Sequence, residues 1–323
     1  LEIASMVLVL REEDVRSLLT MPDTIAVLNQ AFCALADGRV VNPPRSRVKL
    51  ANGVLNILVA AAPTLGVLGF KTYTAFREGV RFVVMLYSSH DGQLLSIIEA
   101  DWLGRMRTGA MSGLATTYLA REDATTIGLI GAGQQAVTQL IGVCTVRPIT
   151  AVYVYSRTPQ ACKLFCDEMT RVLHIEVRPV VHPRQAVEVA DILITSTSSS
   201  EPVLYGEWVQ PGCHINAIGS NWATKREIDL STLQKSYLIV TDSKEQARAE
   251  AGDFIIPVNE GLFDWDRVFE LSEVVGGQGP QRDALENITL YKGLGIALED
   301  LAAAAHVYTM ARERGLGEEL PLL

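Results

Sequence analysis

The sequence predicts an α/β chain in two parts: a doubly wound parallel sheet and an α+β substrate or interface domain. Three observations carry this. From residue 122 onward, apolar runs of strand length alternate with helix-period segments, the pattern of βαβ units and a parallel sheet. Before residue 121 a series of such runs is separated only by turn residues, as in an antiparallel sheet. The segment 289–315 is Ala-rich and reads as one long helix packing back on the first part. The expected domains are therefore 1–121 with 289–323, and 122–288.

In the first part, 6–10 (MVLVL) reads as a strand and 11–38 as two helices. Val15, Leu18 and Leu19 form one apolar face; Ile25, Val27, Leu28, Ala31, Phe32 and Leu35 form the next, and Asp37-Gly38 ends it. Asn42-Pro43-Pro44 breaks regularity. Residues 45–50 alternate charge and apolarity, a half-exposed strand, and strands follow at 54–61, 67–74, 81–88 and 93–98. His90-Asp91-Gly92 marks a turn, and a Gly- and Ala-rich helix covers 101–120. In the second part, strands are expected at 125–130, 151–155, 175–180, 191–195, 213–218 and 237–241, and helices at 134–144, 159–172, 184–189 and 229–234. The stretch 252–288 reads as a loop without a role. Thr289 is the expected cap of the final helix, which Gly293 and Gly295 punctuate.

Composition narrows the function classes. The 323 residues carry a net charge of −9, against the basic excess of nucleic-acid binders. The 5 cysteines are scattered without a C-x-x-C, which fits free thiols in a reducing cytoplasm and offers no metal-ligand spacing. The uncharged run Leu50–Phe70 is long enough for a bilayer, but Asn52, Gly53, Asn56, Pro63, Gly66 and Gly69 make it two strands and a turn, so no membrane association is expected. LEIASMVLVLREEDV has no basic region before its apolar run and does not read as a secretory signal.

Gly131-Ala132-Gly133-Gln134-Gln135-Ala136 matches G-x-G-x-x-A between a strand and a helix, with another strand about twenty residues on. This is a Rossmann-type dinucleotide fingerprint. The first glycine allows the tight turn, the second lets a pyrophosphate approach the backbone, and Ala136 lets helix and strand pack closely. After the next strand stands Ser156-Arg157-Thr158 rather than an acid. Arg157 can pair with a ribose 2′-phosphate and both hydroxyls can donate to it, which predicts NADP(H), with NAD(H) the alternative.

Between Arg39 and Arg81 lie seven basic residues and one acid, Glu78, an anomaly in an acidic chain. Arg45, Lys71 and Arg107, the last among small helical residues, are read as a pocket for a carboxylate. Arg47 and Lys49 are read as a solvated strand face.

Arg45, Gly69-Phe70-Lys71-Thr72, Arg105-Met106-Arg107-Thr108-Gly109-Ala110, the fingerprint, His214-Ile215-Asn216-Ala217-Ile218-Gly219 and Thr289-Leu290-Tyr291-Lys292-Gly293-Leu294-Gly295 with Glu299-Asp300 occur in order along nearly the whole chain. With these the sequence resembles the ornithine cyclodeaminase/μ-crystallin family. The resemblance implies a homodimer joined through the β-rich domain, a nicotinamide cofactor, and α-amino or α-imino acid substrates. By position it implies Arg45 and Lys71 on the substrate carboxylate and Arg107 between substrate and cofactor. It implies Thr108, Gln134, Gln135, Ser156, Arg157, Thr158, Thr195 and Thr197 along the dinucleotide, with Gly131 and Gly133. Ile218, Gly219, Ser220, Asn221 and Lys225 would border the nicotinamide, and Gly293 and Leu294 would close the site from the last helix.

One departure bears on the reaction. Cyclodeaminases of this family carry an aspartate where this chain has Asn221, and an amide cannot serve as a general base. Asn56 likewise stands where a carboxylate would meet a distal substrate amine. The expected activity is an NAD(P)H-dependent reduction of α-imino acids, in the manner of ketimine reductases and amino-acid dehydrogenases, with Lys71, Asn221 and Arg107 as the chemical residues. Ornithine cyclisation with bound NAD, and ligand binding without catalysis, are the alternatives. Asp300 reads as an interface contact and His214 as a core or strand-edge residue.

Overall fold

A computed structural model describes residues 6–322; the first five residues of the amino-terminal run lie outside it. The chain forms two compact units: residues up to Arg107 together with those from Gly295 onward, and Thr108–Leu294. The divide falls inside the long helix at 101–120, not after it, and beyond the segment starting at 289, not before it.

The first unit runs β1 (Met6–Leu10), α1 (Glu12–Leu18), α2 (Met21–Ala36), β2 (Ser46–Leu50), β3 (Gly53–Ala62), β4 (Val67–Phe76), β5 (Gly79–Ser88), β6 (Leu94–Glu99) and the start of α3 (Asp101–Leu119). The second continues with β7 (Thr126–Ile130), α4 (Gln134–Val146), β8 (Ala151–Tyr155), α5 (Pro159–Leu173), β9 (Glu176–Pro179), α6 (Pro183–Val187), β10 (Ile192–Thr195), β11 (His214–Ala217), α7 (Leu230–Lys235), β12 (Ser236–Thr241), α8 (Lys244–Glu250), α9 (Gly252–Asn259), β13 (Val268–Glu270), α10 (Leu271–Val275) and β14 (Ile288–Lys292). The chain then returns to the first unit as α11 (Ala297–Arg314) and β15 (Glu318–Pro321).

The first sheet has the order β15-β1-β6-β5-β4-β3-β2. β2 to β6 pair antiparallel as the turn residues predict, and β1 joins β6 in parallel. Strict alternation turns Val54, Asn56, Leu58, Ala60 and Ala62 of β3 inward. α11 packs against β3, β4, β5 and α2. Its buried Leu301 and run of buried alanines, Ala302 to Ala305, let the helix axis sit close to that face.

The second sheet is parallel, with order β13-β12-β14-β11-β10-β7-β8-β9. Its strands are buried on both faces, which is why they read as continuous apolar runs. The single helix expected over 289–315 is corrected. Ile288–Lys292 is strand β14, set between β11 and β12, and the helix begins only at Ala297. Thr289 is not a cap: it is buried, and its hydroxyl donates to the Leu119 carbonyl and meets His214 Nδ1, both at 2.9 Å. Gly295, at φ +77°, breaks the chain before the helix. The stretch 252–288 is likewise not a plain loop, since it holds α9, β13 and α10.

α3 and α4 meet backbone to backbone. A Cβ at Gly109 would lie 2.1 Å from the Thr138 carbonyl oxygen, and one at Gly142 would lie 2.1 Å from that of Gly109. Gly109→Ala should therefore force the helices apart. The expected cost is about 1–3 kcal/mol, read as a lower urea midpoint with unchanged slope. An unchanged midpoint would contradict the contact.

Candidate active site

In the first unit the alternation of β4 places Lys71 on the inner face, where its side chain is 2% exposed. A buried ammonium needs a counterion. Asp300, in the first turn of α11, supplies it: Lys71 Nζ donates to Asp300 Oδ1 at 2.8 Å. Arg107, on α3, donates from Nε to the same oxygen at 3.0 Å and from Nη1 to Glu299 Oε2 at 2.5 Å. Glu299 also accepts the Ile296 amide at 3.2 Å, closing the helix end. Asp300 is fully buried, which corrects its reading as an interface contact.

Two glycines make room for these cations. A Cβ at Gly104 would lie 3.0 Å from Lys71 Nζ, and one at Gly295 would lie 2.5 Å from Arg107 Nη1. Arg45 reaches the same place, donating to the Gly295 carbonyl at 2.8 Å and to the Tyr73 hydroxyl at 3.1 Å. The Phe82 ring lies beneath Lys71, its centroid 5.0 Å from Nζ. The Lys71 ammonium is lowered from its ordinary value to about 8, first by burial and then by Arg107 and Arg45, while Asp300 opposes the shift. Arg45, Lys71 and Arg107 are thus brought together as expected. Arg47 is not on a solvated face: it is half-buried, and its Nε donates to Oδ1 of the buried Asn56 at 3.0 Å. Lys49 is exposed.

In the second unit the fingerprint sits between β7 and α4. Gly131 has φ +107°, and a Cβ there would lie 2.3 Å from the Ser196 carbonyl oxygen. At Gly133 a Cβ would meet nothing within 4 Å, so open space lies over the uncapped amides of α4. Gln134 and Gln135 are exposed beside it. This cradle fits a pyrophosphate. Ser156, Arg157 and Thr158 follow β8, the last two exposed, and Thr108 accepts from Gln139 Nε2 through its carbonyl at 3.0 Å.

The segments after β10 and β11 converge on a residue the sequence did not single out. Glu227 is fully buried and accepts the Thr195 hydroxyl at 3.0 Å, the Thr197 amide and hydroxyl at 2.7 Å each, and the Gly219 amide at 2.6 Å. The two threonines therefore turn their hydroxyls toward Glu227. Burial raises the Glu227 carboxyl against the pull of Lys292 and Thr197. Lys292 Nζ itself stands 2.8 Å from Asp253 Oδ2, and Asp253 Oδ1 accepts the Glu227 and Ile228 amides. Ser220 is buried and donates to the Lys225 carbonyl at 3.3 Å, closing the loop that carries the half-buried Asn221. Gly293 and Leu294 do not lie on the last helix. Gly293 follows β14, where a Cβ would lie 2.8 Å from Ile218 Cδ1, and Leu294 donates its amide to Asp242 at 2.8 Å. His214 is a core residue, its imidazole pushed down to about 3 by burial.

Residues 6–315 match the model of the Ornithine cyclodeaminase/mu-crystallin family. The chain belongs to this family. It is 33% identical over 323 residues to a Delta(1)-pyrroline-2-carboxylate reductase of Bacillus cereus, covering 97% of this chain and 99% of that protein. Its fold is similar to the Thermococcus litoralis Delta(1)-pyrroline-2-carboxylate reductase in complex with NADH and L-proline, with TM-score 0.93 and 37% identity over 97% of this chain and 100% of that one. It is also similar to an archaeal alanine dehydrogenase dimer with bound NAD, with TM-score 0.93 and 30% identity over 99% and 100% of the two chains.

Asp300→Asn tests the shared counterion. Breaking a buried pair costs about 3–5 kcal/mol, so the melting temperature should fall at about pH 6. Without Asp300 the lysine loses its proton below about 8, so in the pH range beneath that value the folded wild type binds a proton that the folded variant does not. The gap should shrink as pH rises toward about 8 and hold constant above it. Thermal unfolding at about pH 6 and 9.5 checks this; an equal gap at both would contradict the coupling.

Proposed function

We propose that this chain is an NAD(P)H-dependent reductase of α-imino acids whose substrate carries a carboxylate next to its C=N bond. The observation that carries this reading is the buried group of Lys71, Arg107 and Asp300 with Arg45 alongside. Guanidinium groups grip a carboxylate in two-point fashion, which orients the adjacent imine carbon. Lys71, poised near neutral pH, gives its proton to the imine nitrogen and takes one back in the oxidative direction. A reduced nicotinamide, when bound, would supply the hydride. Asn221 orients by hydrogen bonding and carries no titratable proton, which favours reduction over ornithine cyclisation. Cyclic ketimines bearing a 2-carboxylate, the class named in two of the relatives, are the first substrates to examine.

Arg157 with Ser156 and Thr158 supports NADP(H) over NAD(H), since no acid stands there to accept a ribose 2′-hydroxyl. The functional unit is a homodimer. Its support is the apolar outer face of the first sheet, where Val59 and Leu68 are 41% and 38% exposed, and an apolar hollow lined by Val59, Leu68, Phe70 and Tyr87. A second copy of the same sheet face would cover it.

Lys71→Ala should lower reductive kcat/KM on the order of 100- to 10,000-fold. In the wild type, reductive kcat/KM should fall as pH rises through about 8, because only the protonated lysine can donate, and oxidative kcat/KM should rise over the same range. Steady-state assays with NADPH and NADH check both; full activity of Lys71→Ala on every imino acid would sink the role. Arg157→Ala should raise KM for NADPH by about tenfold or more and leave that for NADH within about twofold.

A further inference from the structure

The dinucleotide reading leaves unexplained a buried carboxylate beneath the loops that would bear the cofactor. Glu227 has four donors, two on each oxygen. Oε1 takes the Thr197 amide and hydroxyl, and Oε2 takes the Thr195 hydroxyl and the Gly219 amide. These donors come from the ends of two neighbouring parallel strands, β10 and β11. The sheet order places β10 beside β7, where the winding reverses. Ligands of such sheets bind outside the carboxyl ends of strands at that reversal.

The same segments carry the fingerprint. Gly131 lies against the Ser196 carbonyl, with no room for a Cβ, so the fingerprint turn abuts the backbone between the two threonines that Glu227 binds. Gly219 is exposed on one side, and on the other its missing Cβ would lie 2.3 Å from the Thr197 amide nitrogen and 2.4 Å from Glu227 Oε1. Glu227 is itself fixed, because Asp253 holds its amide at 2.7 Å and Lys292 holds Asp253 at 2.8 Å. A buried charge this fully committed makes no contact of its own with a ligand.

We propose that Glu227 is a positioning residue that ties the β10 and β11 loops into one rigid floor for the nicotinamide end of the dinucleotide. The inference rests on the dinucleotide reading above and assigns the cost of assembling that floor to one carboxylate. Glutamine can replace only half of it. One oxygen still accepts, but the NH2 group must face a backbone N–H, of either Thr197 or Gly219, and neither can turn into an acceptor.

The test compares the wild type with Glu227→Gln by calorimetric titration. NADPH and NADH report on the whole cofactor, while AMP and adenosine 2′,5′-bisphosphate report on the adenosine end alone. The variant should bind whole cofactors about tenfold or more weakly and bind both fragments within about twofold of the wild type. Unchanged cofactor binding overturns the inference, and so does equal weakening of cofactor and fragments, which is what a merely structural role would give. A wild type that bound neither cofactor nor fragment would instead sink the dinucleotide reading, and this inference with it. If Glu227→Gln is recovered unfolded, Thr195→Val makes the same comparison, because it removes the buried β10 hydroxyl that donates to Oε2 and leaves the carboxylate in place.

Discussion

A carboxylate with no exposure to solvent, Asp300, holds the ammonium of Lys71 and the guanidinium of Arg107 on a single oxygen. The architecture of the first unit follows from that constraint. Two buried cations without a counterion would each cost several kcal/mol, so the helix that bears Asp300 must sit close against the sheet that bears Lys71. The alanines of α11 permit the approach. Gly104 and Gly295 leave space for the cationic ends, and Glu299 steadies Arg107 from the neighbouring position on the helix. The result is a lysine whose proton is nearly balanced at neutral pH, set among arginines that attract an anion.

The second unit repeats this logic with other residues. Glu227 carries out no chemistry in the proposed reaction, yet it gathers donors from two strand ends, and Asp253 and Lys292 hold it in turn. In both units a buried acid holds the groups expected to touch a substrate or cofactor. Such acids are high-stakes residues, because a half-satisfied network costs more than none.

Much of this was legible in the sequence. Period and turn residues located the strands from 6 to 98 and the βαβ series, because long or repeated patterns average out local ambiguity. The glycine fingerprint and the cationic anomaly pointed to Gly131, Gly133, Arg45, Lys71 and Arg107. Strand β14 was missed because a five-residue segment, Ile288–Lys292, close to an Ala-rich run cannot be told from a helix by period alone. The counterion roles of Asp300 and Glu299, and Glu227 altogether, were missed for a different reason. An acid in the first turn of a helix looks like an ordinary response to the helix dipole, and an acid after a loop looks solvated. The signal that could have found Asp300 was a demand, since cations buried on distant segments require an acid somewhere. Local pattern does not say which one answers.

In the proposed reaction the cation group selects substrates by a carboxylate adjacent to the C=N bond. The most direct measurement compares reduction of Δ1-pyrroline-2-carboxylate with that of Δ1-pyrroline, the same ring without the acid, by the purified protein under saturating NADPH and then NADH. The account predicts turnover of the first and a kcat/KM for the second lower on the order of 100-fold or more, the loss of a charge-assisted two-point grip. Equal kcat/KM for the two rings would contradict it.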